Sequence, residues 1–243
     1  MSIVITETLL HRMVKDIKNI QRHPLHSHGI YYQHDENDLL TGYALIIGTS
    51  NTPYFGGYYF FKFHFTFNYP YEPPRVEFCT NNESVRFHPN LYKNGNVCIS
   101  LLNTWPGEQW TSCQNISSIL LTICSLLDEN PILHEPCITK THVDYSRYNS
   151  AIEYYNLSVA VCDVLNKESF FYKKEQTQFF LLFYNTIMEH YLMNVDTYLL
   201  FVDQQIAKGN PDEFLIQSYQ MKVLIDYGSL KLKLEHLKQT LIA

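Results

Sequence analysis

The sequence predicts an α+β domain followed by an all-helical C-terminal extension, and three patterns carry that expectation. Apolar residues recur at helical spacing near the N-terminus, then come aromatic and β-branched runs bounded by turn residues, and the second half is built of apolar stretches of helical length. Leu9, Leu10, Met13, Val14, Ile17 and Ile20 form one stripe between polar positions, which predicts an amphipathic helix over residues 4 to 22, stopped by Pro24. Past a histidine-rich loop, residues 42–48, 57–67 and 75–80 read as strands separated by GTSNTP and YPYEPP, a short antiparallel meander of three or four strands. ISSILLTICSLL, from Ile116 to Leu127, is apolar nearly all round and ends before Asn130-Pro131, as a buried central helix on the sheet would. Residues 144–166 place Tyr148, Ile152, Tyr155, Val159 and Cys162 on one helical face and close a first domain, 1–166. The extension, 167–243, is patterned as helices over 175–207, 211–226 after Gly209-Asn210-Pro211, and 229–242 after Gly228. Its Leu, Phe and Tyr stripes read as packing within the extension or against the first domain.

Composition narrows the class. With 243 residues, 46% hydrophobic and 17% charged, the chain has the make-up of a compact globular protein and not of a disordered one. The net charge is -6 and no Lys/Arg block occurs, so nucleic acid is not an expected partner. Cys79, Cys98, Cys113, Cys124, Cys137 and Cys162 are scattered without a CxxC pair, as reduced thiols of a cytoplasmic or nuclear protein would be. The N-terminal stretch mixes charges into its apolar residues, unlike a signal peptide, and the run Phe179 to Tyr184 is far shorter than the roughly 20 residues a membrane span needs. His23, His26, His28 and His34 lack cysteine or carboxylate companions at a metal-site spacing, so no metal is expected. The aromatic stripe from Tyr58 to Phe67 reads, by strand alternation, as sheet core and not as a base-stacking platform.

A nucleophilic thiol needs access, a donor for the developing oxyanion, and no disulfide partner. Cys98 meets these best: RFHPNLYKNGNVCISLLNTW turns at His88-Pro89-Asn90 and at Asn94-Gly95 before a short apolar-flanked segment presents the cysteine. On residue chemistry alone, a lone cysteine between Val97 and Ile99 also fits a small buried filler.

The ordered string Gly42, GGYYFFKFHFTFNYP, Tyr69-Pro70-Tyr71-Glu72-Pro73-Pro74, His88-Pro89-Asn90, Cys98, Trp110 and Glu129-Asn130-Pro131 resembles the ubiquitin-conjugating enzyme family over residues 8 to 165. NTPYFGGYYF, VRFHPNLYKNGNVCISLLNTW, Asn115 to Leu121 and VAVCD at 159–163 are most similar to its large, extended Z-type members. The resemblance implies that family's fold: an N-terminal helix, a four-stranded antiparallel meander, an active-site loop, and central and C-terminal helices. It also implies a two-step acyl carrier in which Cys98 takes ubiquitin or a ubiquitin-like protein from an activating enzyme as a thioester and yields it to a substrate lysine. No organic cofactor or metal is implied, since ATP is used upstream by the activating enzyme. Asn90 matches the motif asparagine that supports the loop and stabilises the oxyanion, and its carboxamide can donate as that role requires. His88 reads as a structural bond-former or a general base, the former preferred. Glu135, in ENPILHEP with His134 beside it, is the candidate to orient and deprotonate the lysine, or else a solvated loop carboxylate.

Departures from the family pattern stand beside these matches. The segment after Cys98 is longer than in minimal members and carries Trp105 and Pro106-Gly107, as a gate or as a loop packed by its own tryptophan. Thr111, Ser112 and Cys113 replace the usual Pro and small residue of one ligase-contact loop, and Tyr71 takes an apolar place on the other, which puts docking of a ligase in question. Arg12, Lys15 and Lys18 offer a basic face toward the activating enzyme, or simply a solvated one. A non-catalytic adaptor of the same fold, and a Cys-His hydrolase using His88 or His134, are the competing classes.

Overall fold

The computed structural model describes residues 6–209 and 213–242, so the expected helix start at residues 4 and 5 and the breaker residues Asn210 and Pro211 lie outside the described residues. Helix α1 runs Glu7–Arg22, with Thr6 as N-cap accepting from the Leu9 amide at 3.2 Å. Its buried face holds Leu9, Met13 and Ile20, but also Asp16. That carboxylate is satisfied by the Tyr69 hydroxyl and by Arg12 Nε at 2.7 Å, while the Arg12 guanidinium also donates to the carbonyls of Ser112 and Gln114. Arg12 therefore pins α1 to the loop before the central helix, and of the expected basic face only Lys15 and Lys18 stand exposed.

Strands β1 (Ile30–His34), β2 (Thr41–Ile47), β3 (Tyr58–His64) and β4 (Arg75–Phe78) form one antiparallel sheet in chain order, the expected four-stranded meander. The register runs Tyr32 to Ala44 to Phe61 to Phe78. The first strand arises inside the histidine-rich segment expected as loop, where His34 bonds Tyr32 Oη at 2.8 Å and the Leu39 carbonyl at 2.9 Å. Helix α2 (Ile116–Leu126) begins in a capping box of Asn115 and Ser118 and buries Ile119, Leu120 and Ile123, leaving Leu121 outward. Helix α3 (Asp144–Tyr155) continues as a π-helical stretch, Asn156–Asp163. Asn156 there accepts from Tyr59 Oη at 2.6 Å and donates to the Phe55 carbonyl at 2.9 Å. A Cβ on Gly57 would come within 1.8 Å of its Oδ1, so the second glycine of the YFGGYYF run is required by this close approach.

Tyr58, Tyr59, Phe60 and Phe61 are all fully buried, so β3 is covered on both faces and does not alternate between core and solvent. Tyr59 and Phe61 pack with Phe78 on one face. On the other, Phe60 stacks on Phe180 at 3.8 Å between centroids, Tyr58 meets His190 edge-on, and Tyr43 stacks on Phe179. The extension thus covers the outer face of the sheet. It comprises a short α4 (Phe170–Lys173), a 3-10 stretch (Glu175–Phe183), α5 (Tyr184–Lys208) ended by Gly209 at φ 65°, and α6 (Tyr227–Ile242) against α5.

One segment of the helical extension is corrected. Where a helix is expected over 211–226, the described residues form a two-stranded hairpin, β5 (Glu213–Ile216) and β6 (Met221–Leu224), joined by a 3-10 turn at Gln217–Tyr219. Ile216, Met221 and Val223 are buried while Leu215, Lys222 and Leu224 point outward, a period of two that the apolar density of FLIQSYQMKVLI concealed. Gln220 supplies the left-handed residue of the turn at φ 47°, a position where glycine or asparagine is the usual signal.

The hairpin docks through Asp144, a fully buried carboxylate that accepts from the amides of Gln217 and Ser218 and from Ser218 Oγ at 3.1, 2.8 and 2.7 Å. Burial alone would raise this carboxyl, but the bonds from Ser218 and Gln217 outweigh it and hold its pKa below the ordinary value. Two stability outcomes are expected in denaturant titrations. Phe180→Ala should cost about 3–5 kcal/mol, the range for deleting a buried phenylalanine. Asp144→Ala should cost about 1–3 kcal/mol by stranding three donors. A loss below about 1 kcal/mol in both would mean that the extension does not hold the sheet.

Candidate active site

The segment that bears Cys98 is tied to the sheet edge by its own turns. The amide of Leu91 donates to the His88 carbonyl at 3.0 Å, Tyr92 N donates to the Asn96 carbonyl at 2.9 Å, and Gly95, at φ 86°, closes the Asn94-Gly95 turn. The Gly95 carbonyl then accepts from Phe78 N at 2.7 Å, fastening the segment to β4. These bonds bring Asn90 and Cys98 side by side.

Asn90 holds the Cys98 peptide from both ends. Its backbone carbonyl accepts from Cys98 N at 2.9 Å, and its carboxamide Nδ2 donates to the Cys98 carbonyl at 2.6 Å. One of the two N–H groups on Nδ2 is thereby committed, and among the described residues no hydrogen bond from the second is found. Asn90 Oδ1 is buried without a hydrogen-bond partner. The Cys98 side chain is partly exposed between buried Val97 and Ile99, and among the described residues no hydrogen bond or ion pair engages its sulfur.

His88 is fully buried, and its Nδ1 accepts the Asn90 amide at 3.0 Å, which sets the proton on Nε2. Burial, aided by the charges of His134 and Arg86, pushes its pKa well below the ordinary imidazole value. It is therefore a neutral ring whose Nδ1 is committed to the turn. His134 pairs with Asp128 at 2.8 Å and lies against the His88 ring at 4.8 Å between centroids. The imidazole-activated thiol that a Cys-His hydrolase needs is thus not assembled by these two histidines. Glu135 accepts from Tyr219 Oη at 2.6 Å, so its carboxylate is bound to the C-terminal hairpin and not to the Cys98 segment. Cys98, Asn90 and His88 come together as a unit, and Glu135 stands outside it.

Arg86 is the residue that sequence reasoning missed. Its Nε donates to the His88 carbonyl at 3.2 Å and its Nη2 to the Pro89 carbonyl, so it grips the turn from behind. Its guanidinium lies over the rings of both Tyr92, at 3.5 Å, and Tyr219, at 5.0 Å. Tyr148 Oη donates to the Arg86 carbonyl, and Tyr54 Oη to that of Phe87, each at 2.7 Å. The only sequence signal was its place two residues before His88; the Tyr219 partner arrives from the hairpin and has no local signature.

Beyond Cys98, Thr104 Oγ1 bridges Val97 and Ile99, and Asn103 Oδ1 accepts from Trp110 N at 2.9 Å. Gly107 folds back so that a Cβ there would lie 3.1 Å from that of Ser100, and Gln109 Nε2 donates to the Trp105 carbonyl. These bonds fold the segment back on itself beside Cys98. Trp110 Nε1 donates to the Pro70 carbonyl at 2.7 Å, which sets exposed Tyr71 beside exposed Thr111, Ser112 and Cys113. No described helix is long and apolar enough to cross a membrane.

Comparison with known proteins gives the following. The family whose model matches residues 12–158 is described as ubiquitin-conjugating enzyme. The chain is similar to ubiquitin-conjugating enzyme E2 Z of Danio rerio, 41% identical over 157 residues that cover 63% of this chain and 47% of the relative. Against ubiquitin-conjugating enzyme E2 Z of Homo sapiens the identity is 42% over 157 residues, covering 63% and 44%. The probable ubiquitin-conjugating enzyme protein 17 of Caenorhabditis elegans is 35% identical over 176 residues, covering 67% and 24%. The chain spans about half the length of the first curated relatives it matches. Among solved structures, that of human ubiquitin-conjugating enzyme E2 G1 is 31% identical with a TM-score of 0.44, covering 52% of this chain and 98% of that one.

The buried histidine gives the site a signed pH dependence. Because the folded pKa of His88 is depressed, its contribution to stability is fully present above the unfolded value of 6.5 and is lost as pH falls from there through the folded one. Urea midpoints measured at pH 7.5 and 5.5 should show the wild type losing on the order of 1 kcal/mol more than His88→Gln, which keeps an acceptor for the Asn90 amide without a titrating ring. Equal losses in the two proteins would mean that His88 does not titrate between the folded and unfolded states.

Proposed function

The chain belongs to the ubiquitin-conjugating enzyme family, and on that premise we propose that it carries ubiquitin or a ubiquitin-like protein as a thioester on Cys98 and transfers it to a substrate lysine. The observation that carries this reading is the double hold of Asn90 on the Cys98 peptide beside a partly exposed thiol with no bonded partner among the described residues. In the first step the Cys98 sulfur attacks the thioester carbonyl on the activating enzyme; a new C–S bond forms and the donor thiolate leaves. In the second, the lysine amine attacks the carbonyl, the C–N bond forms, the C–S bond breaks, and the proton shed by the amine leaves Cys98 as a thiol. Each step passes through an oxyanion, which the second N–H of Asn90 Nδ2 is available to receive.

The proposed partners are the modifier, its activating enzyme, protein substrates with an accessible lysine, and a ligase meeting the surface where Trp110 joins the Tyr71 and Thr111–Cys113 loops. The chemistry requires no organic cofactor or metal of this chain, because ATP is consumed by the activating enzyme, and the proposed location is cytoplasmic or nuclear. His88 serves by shaping the turn. Glu135, bound to Tyr219, would have to exchange that bond for an incoming amine to act on lysine directly.

Incubation with activating enzyme, modifier and ATP, followed by a non-reducing gel, tests the proposal. The wild type should form a reductant-sensitive adduct, Cys98→Ala none, and Cys98→Ser a reductant-stable ester. Absence of any wild-type adduct across the activating enzymes and modifiers tried would replace this reading with that of a non-catalytic adaptor. Asn90→Ala should still charge, yet release its modifier to free lysine on the order of a hundredfold more slowly, the scale of one lost oxyanion donor. Unchanged release would remove Asn90 from the mechanism.

A further inference from the structure

We infer that the C-terminal hairpin is a working part of the Cys98 site, with Tyr219 as a positioning residue that sets the His88-Pro89-Asn90 turn through Arg86. The inference rests on the proposed thioester chemistry for its functional meaning, and on geometry for the link itself. Arg86 bonds the carbonyls of His88 and Pro89, the two residues that immediately precede Asn90. A long, charged side chain in this place has several rotamers available, and holding both bonds to the turn requires fixing it in one conformation. Two rings restrict it: Tyr92, which belongs to the same loop, and Tyr219, which does not.

Tyr219 is itself held by several contacts. Its hydroxyl donates to Glu135 at 2.6 Å, its ring meets Tyr148 at 5.7 Å between centroids, and its turn is anchored on buried Asp144 by the adjacent Ser218 and Gln217. Burial raises its pKa, so the phenol stays protonated as a donor at neutral pH. Met221, on the hairpin's second strand, adds a direct contact: its sulfur accepts from the Arg86 amide at 3.3 Å. The hairpin therefore touches both the side chain and the backbone of the residue that grips the turn. A tail serving only to cover the sheet would need the aromatic contacts of Phe179, Phe180 and His190 with β2 and β3, but no ring on Arg86. Glu135 thereby has a place in the structure as the acceptor of the Tyr219 hydroxyl.

The test uses the full chain and two variants, Tyr219→Leu, which removes the ring, and Tyr219→Phe, which keeps it over Arg86 but drops the bond to Glu135. Two measurements are made. Hydrogen–deuterium exchange on the uncharged protein reports the amides of residues 88–98, with α2 as internal reference. Single-turnover release of preformed thioester to saturating free lysine reports the chemistry, alongside the extent of charging.

In Tyr219→Leu, exchange over 88–98 should rise about tenfold with α2 unchanged, the scale of losing a partly desolvated cation–π contact. Release should slow by about tenfold or more while charging stays within about twofold, because the turn acts on the geometry of transfer. Tyr219→Phe should restore both to within about twofold of wild type, since the ring–cation contact is what acts. Wild-type exchange over 88–98 in Tyr219→Leu overturns the inference. So does a rise shared equally by α2 that phenylalanine does not rescue, which would indicate general loosening. Should the wild type fail to charge at all, the proposed function falls, and the exchange data alone still decide whether Tyr219 holds the turn.

Discussion

The burial of β3 on both faces is the constraint from which the rest of this molecule follows. A strand carrying Tyr58, Tyr59, Phe60 and Phe61 in succession has no side to turn to water, so something must cover its outer face. The extension does so with Phe179, Phe180, Phe183 and His190. Once α5 is laid on the sheet in this way, the chain that leaves it returns toward Asp144, and the hairpin arrives behind the turn that supports Cys98. Contacts across residue 166, such as Phe60 on Phe180 and Asp144 on Ser218, join the two stretches of the chain.

Much of the first domain was legible because its signals are local. The α1 stripe, the Asn115 cap, the glycine pair before β3 and the His88-Pro89-Asn90 turn each impose their own backbone geometry on neighbours a few residues away. Within the site, the pairing of Asn90 with Cys98 was legible through motif order, and the structure adds the reason for it: the asparagine grips the peptide of the cysteine at both ends.

What was not legible depends on distant partners. The helix expected over 211–226 became a hairpin because its alternating residues bury against the first domain, a fact that no window of local sequence contains. Arg12 read as part of a basic face until the carbonyls of Ser112 and Gln114 came into view. Glu135 read as the carboxylate that would meet the incoming lysine, or as a solvated one, because the tyrosine that binds it lies on another element.

The pair of rings on Arg86 has a consequence for how such a chain can change over generations. The guanidinium depends on Tyr219 for one of its two aromatic neighbours, and Tyr219 depends on the guanidinium to occupy the ring face it presents. Losing either one leaves the other poorly accommodated, so drift at these two positions should be coupled although they are far apart in the sequence. A terminal appendage is ordinarily the freest part of a protein to diverge, shorten or be exchanged. Here the hairpin would be expected to vary at the pace of the turn it touches, and relatives that dispense with it should hold that turn by other means.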